Sequence, residues 1–146
     1  VGEKYDFSKQ LFPDVLSRGW PMYAKIVDGI WFDVGHPFEL HNAQMALIAG
    51  RESLPFPMPD GEILPDGSFI SRTASVSGHV EKSIILEGAS VNGAVVNSVL
   101  MANSRVNGVS ESSIIGENSV IDSRIQDCVI GDGIHLSIDL ENERRG

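Results

Sequence analysis

The 146-residue chain carries 20 acidic against 11 basic side chains, a formal charge of −9, and 42% hydrophobic residues. That apolar share is enough to build a core, and the lack of any basic cluster argues against nucleic acid as a partner. No apolar run approaches the roughly 18 residues of a membrane span and no secretory leader is recognisable, so membrane association is not expected either.

A single cysteine, Cys128, excludes an internal disulfide and fits a reducing cytoplasm. The chain begins at Val1 rather than at a methionine, as a piece of a longer protein would.

From the N-terminus, a short helix is expected from about Ser8 to Arg18, ended by Gly19, with Pro13 tolerable only where it opens the helix. Apolar and polar residues then alternate over Met22 to Val27, turn at Asp28-Gly29 and resume at Ile30 to Phe32, which is a hairpin signature. A stronger helix follows: Pro37 and Glu39 in a first turn, Phe38, Leu40, Ala43 and Leu47 at helical spacing, and Gly50 as a stop. Alternating Pro55, Pro57 and Pro59 make a semi-rigid extended connector.

From Ser68 onward the sequence repeats every fifteen residues without a gap. Ser68, Ser83, Ser98, Ser113 and Cys128 open five successive repeats. The third column reads Ile70, Ile85, Leu100, Ile115, Ile130, and the ninth reads Val76, Val91, Val106, Ile121, Leu136. Glycine or asparagine fills the sixth column at Gly88, Asn103, Asn118 and Gly133, and glycine the eleventh at Gly78, Gly93 and Gly108, residues that tolerate positive φ at sharp corners. Short β segments joined by tight corners cannot bury their own inner faces, so the repeats are expected to stack as coils of a parallel β-helix around an aliphatic interior.

The second column is apolar as well: Phe69, Ile84, Val99, Ile114, Val129. Neighbouring strand residues face opposite ways, so an external stripe is expected, covered by the N-terminal segment or by another subunit as an oligomer or domain interface. A bulge tucking both columns inward is the alternative. The fifth repeat loses its corner glycine at Ile138, and the charged run Glu143 to Gly146 would blunt the end of the stack.

The run GIWFDVGHPFELHNAQMALIAG, preceded by YDFSKQLFPDVLSRGWPMYA, resembles the close of the catalytic domain of sugar-phosphate nucleotidyltransferases, the nucleotide-sugar pyrophosphorylases. That family's pattern is tryptophan, any residue, aspartate, aliphatic, glycine, threonine, proline and then a helix. Several of its members carry a left-handed β-helix of hexapeptide repeats directly afterward. The prolines, the repeat and the charged end divide off 53–67 as linker, 68–142 as β-helix and 143–146 as a charged tail, and the resemblance implies that residues 1–52 are the end of the catalytic domain and that the coils are left-handed.

It also implies chemistry: a nucleoside triphosphate and a sugar 1-phosphate joined with release of pyrophosphate, on Mg2+ held by two aspartates in the parent enzyme, with Asp33 as one of them. A lone carboxylate is an incomplete magnesium site, and the family's glycine-rich nucleotide loop, second metal aspartate and sugar-phosphate lysine have no counterpart here. This chain alone is therefore expected to be inactive and to need no cofactor. His36 stands where the motif has threonine and is a poorer helix cap.

Two other functions compete with the C-terminal part of a cytoplasmic nucleotidyltransferase whose β-helix serves assembly or regulation. One is a non-catalytic scaffold that forms homo-oligomers through its coils. The other is a hexapeptide-repeat acyltransferase with a histidine base, for which His79 and His135 fall in different columns and show no carboxylate partner by spacing. His36 and His41 lack the spacing of two metal ligands on one helical face, and Cys128 in a serine column reads as a small buried residue.

Overall fold

Each fifteen-residue repeat closes into one coil, and each coil gives one short strand to each of three parallel sheets. In the computed structural model, which describes residues 2, 4–50 and 55–146, five coils follow a small helical segment. The first sheet stacks Phe69–Ser71, Ile84–Ile85, Val99–Leu100, Ile114–Ile115, Val129–Ile130 and Arg144–Arg145. The second contains Ser75–Val76, Ser90–Val91, Arg105–Val106, Val120–Ile121 and His135–Leu136, and the third runs from His79–Glu81 to Leu140–Glu141. Pairing keeps a constant fifteen-residue offset, with Ile84 opposite both Phe69 and Val99. These strands are two or three residues long and hold only because every coil is bonded to the next.

The expected β-helix interior is present. Ile85, Leu100 and Ile115 of the third column, Val91, Val106 and Ile121 of the ninth, and Val95 and Ile125 of the thirteenth form one closed aliphatic cluster. The second column does not join it. Phe69, Ile84, Val99 and Ile114 point the other way and are buried in a separate cluster with Ile48 of a helix, so the strands keep their alternation and no bulge turns both columns inward.

The first column forms a buried hydrogen-bonded ladder. The N–H groups of Ser83, Ser98, Ser113 and Cys128 donate to the hydroxyl oxygens of Ser68, Ser83, Ser98 and Ser113, each at 3.0 Å. The hydroxyls of Ser83, Ser98 and Ser113 in turn donate to the carbonyls of Glu81, Val96 and Glu111 at 2.6–2.8 Å. A polar side chain can sit inside the prism because each is satisfied twice.

Corners differ from expectation in an instructive way. The sixth-column residues Gly88, Asn103, Asn118 and Gly133 do adopt positive φ, and so do Lys82, Asn97, Ser112, Asp127 and Asn142 of the fifteenth column. A left-handed residue turns its N–H back toward the preceding coil: Asn97 donates to Glu81 and Asn103 to Glu87, both at 2.9 Å. The eleventh-column glycines have ordinary φ. They are required by close stacking, since a Cβ on Gly78, Gly93 or Gly108 would collide with the carbonyl of Gly93, Gly108 or Ser123 respectively.

In the N-terminal region a wide helical turn, Phe7–Leu11, opened by Asp6 accepting from the N–H groups of Ser8 and Lys9 at 2.8 Å, runs into α1, Phe12–Ser17, with Pro13 in its first turn. Helix α2 spans Pro37–Ala49. The expected hairpin does not form: residues 20–35 contain no strand, and Tyr23, Ile26, Val27 and Trp31 are 81–92% exposed. Alternation is a local signal, and a two-stranded hairpin with no sheet or helix to pack on has too little to bury. In the connector, of which residues 53 and 54 lie outside those described, Gly61–Ile63 pairs antiparallel with Phe69–Ser71 and caps the first sheet. At the far end Arg144–Arg145 pair with Val129–Ile130, so part of the charged tail extends that sheet.

Candidate functional site

The residues carrying the catalytic-domain resemblance lead directly into a seam between α2 and the first sheet. Pro37 fixes the first helical turn, and buried His41 and Ile48, seven residues apart and so on one side of the helix, are the residues that meet the coils. Ile48 joins Phe69, Ile84, Val99 and Ile114, flanked by Met45, Met58, Ile63, Leu86 and Met101. Val129, the fifth residue of the stripe, is half-buried and lies outside this cluster. A polar clamp supports the apolar contact: buried His41 places Nε2 3.1 Å from the carbonyl of Lys82.

The seam leaves an apolar cleft of about 230 Å³ between Leu47, Phe56, Met58, Phe69 and Ile84. Gln44 lines it, and its Oε1 is buried without a hydrogen-bond partner among the described residues.

Asp33 is exposed in the loop before α2, where its carbonyl accepts from the N–H of Gly35 at 2.8 Å. Among the described residues no three histidine, cysteine, aspartate or glutamate side chains converge into a metal site. One carboxylate on an open loop does not make a magnesium site.

The coil histidines have partners that column spacing concealed. His135 Nε2 lies 2.6 Å from Asp122 Oδ2, and His79 Nε2 lies 3.6 Å from Glu81 Oε2. Asp122 ends a polar ladder on one corner: Asn92 donates to Asn107 at 2.7 Å, and Asn107 to Asp122 at 2.6 Å. The Asn107 amide and then the His135 contact hold the Asp122 carboxyl below the usual range. Both histidines are exposed on the surface of the coils. Cys128 is fully buried, its thiol 3.1 Å from the carbonyl of Gln126, and is inaccessible as a nucleophile.

Asp66 has a structural part that the sequence did not single out. Its carboxylate accepts from the N–H of Lys82 at 2.7 Å, the N–H of Ser68 at 3.0 Å and the hydroxyl of Ser68 at 2.8 Å. Led by the Lys82 bond, these donors hold its carboxyl below the ordinary value.

Among the described residues no helix is long and apolar enough to cross a membrane. Comparison with known proteins finds no family model that matches the chain and no curated protein that matches it.

Proposed function

We propose that this chain is the C-terminal portion of a cytoplasmic sugar-1-phosphate nucleotidyltransferase, in which the β-helix holds the last helix of the catalytic domain and serves assembly or regulation. The reading is supported by the order of parts: the Trp31 to Pro37 motif, then α2, then the proline connector, then coils of the hexapeptide kind. The left hand of the coils belongs to this reading too.

The observation that carries it is the contrast across Pro37. After it, α2 is seated on the coils through Ile48, while before it Tyr23, Ile26, Val27 and Trp31 stand 81–92% exposed. So much apolar surface in one short extended stretch is the surface of something larger. Nucleotide, sugar phosphate and magnesium would all be held by that larger part, and homo-oligomers would form through the coils.

The test is to express the complete reading frame that contains this segment and measure pyrophosphate release with a panel of nucleoside triphosphates and sugar 1-phosphates in magnesium. Release with one pair supports the proposal. A frame without a glycine-rich nucleotide loop, or no release with any pair, overturns it.

A further inference from the structure

Two hydrogen-bond donors face the ring of His36. It occupies the N-cap position of α2, with φ −131° and ψ 141°, and its Nδ1 lies 3.3 Å from the backbone nitrogen of Phe38. Its other ring nitrogen, Nε2, lies 2.9 Å from Nη2 of Arg144, a residue 108 positions away on the last strand of the first sheet.

A backbone N–H and a guanidinium are both donors, and a neutral imidazole has only one acceptor nitrogen. The two contacts therefore exclude each other as hydrogen bonds. The Arg144 contact is the shorter and has the charged donor, so it takes the lone pair. The proton then sits on Nδ1, and the Phe38 N–H is left without a side-chain cap.

Protonation of the ring removes that lone pair and sets two cations against each other. The mid-helix contact responds in the opposite sense, because His41 Nε2 meets the carbonyl of Lys82 and must be the donor, as it remains when charged. Arg144 meets the ring directly, Glu143 and Arg145 to either side of it pair with each other at 2.9 Å, and Asp33 and Glu39 lie three residues before and after His36 in the sequence.

We propose that His36 is a proton-sensitive latch, fastening the N-terminal end of α2 to the last strand when neutral and releasing it when protonated, while His41 keeps the middle of the helix anchored. Release loosens the loop that carries Asp33. This inference does not depend on the catalytic-domain reading.

Nitrogen NMR of the chain reads the tautomer directly. At about pH 8, His36 should carry its proton on Nδ1 and move it to Nε2 in Arg144→Ala. Amide exchange, corrected for its intrinsic pH dependence, should show Glu39 to Ala43 losing protection several-fold between about pH 8 and about pH 5. Unchanged exchange at Ile85, Leu100 and Ile115 would confirm that the coils stay folded in the variant. A proton on Nε2 in the unmodified chain at the higher pH, or equal protection of Glu39 to Ala43 at the two pH values, overturns the latch.

Discussion

Asp66 Oδ2 accepts the N–H of Lys82 at 2.7 Å, in the place where, one coil later, the carbonyl of Glu81 accepts the N–H of Asn97. Asp66 lies fifteen residues before Glu81, so its side chain supplies the acceptor that a preceding coil would have supplied from its backbone. The same carboxylate takes the Ser68 hydroxyl, as the Glu81 carbonyl takes that of Ser83. The ladder thus starts on a carboxylate instead of on an unsatisfied edge.

Asp66→Ala should lower the thermal midpoint by a few degrees, because the Lys82 and Ser68 donors lose their acceptor. The pH dependence has a definite sign. A carboxyl held below its unfolded value contributes stability that is present above about pH 4 and lost as the pH falls through the lowered folded value. Urea midpoints measured across the acid range should fall for the unmodified chain and fall less for Asp66→Asn. A residual slope is expected, since Asp122 is shifted in the same direction. Identical acid profiles for the two proteins would contradict this role.

In the serine ladder, Ser98 accepts from Ser113 and donates to Val96, so Ser98→Ala strands a buried N–H and should cost about 1–3 kcal/mol. Cys128 ends the ladder with a weaker donor in an identical position. Cys128→Ser should keep the fold and gain up to about 1 kcal/mol, read as a higher urea midpoint.

Glycines at the two kinds of corner should respond differently to alanine. At Gly93 the added Cβ meets the backbone carbonyls of Gly108 and Asn107, which cannot move without disturbing the next coil, and the loss should be about 1–3 kcal/mol or more. At Gly133 the space is open and only the φ of +67° opposes a side chain. Gly133→Ala should cost about 1–2 kcal/mol, and Gly133→Asn much less, since asparagine occupies the same corner at Asn103 and Asn118.

The stripe can be tested from its centre. Ile84→Ala, opening a hole beneath α2, should cost about 2–5 kcal/mol. Ile84→Lys and Ile114→Lys should unseat α2 and raise amide exchange along it while light scattering shows the same mass. A drop in mass would instead place the covering surface on a partner.

The interior was legible because it leaves no freedom: the third and ninth columns are aliphatic in every repeat, and the period follows from them. The first-column serines were visible as a pattern, but that they bond to each other along the stack needed the coil geometry. The left-handed corner at Lys82, Asn97, Ser112, Asp127 and Asn142 was hidden, since lysine and serine seldom adopt such φ and the column has no common chemistry. The eleventh-column glycines were seen and given the wrong cause, because composition does not separate a backbone that needs positive φ from one that needs room. The His135 pair with Asp122 escaped a column-by-column reading because it joins the eighth column of one coil to the tenth of the coil before. The hairpin failed because alternation reports what a strand would look like and not whether a surface exists to receive it.

The constant register offset bears on how such a gene can change length. Duplicating or excising one whole fifteen-codon unit leaves each remaining coil facing a neighbour of the same shape, so the stack can grow or shorten by about 4.8 Å at a time. Losing a single codon within a unit has no such outlet, because every side chain downstream in that coil would swap between interior and solvent. Natural length variants of this sequence should therefore differ by multiples of fifteen, with odd-sized insertions confined to the corners.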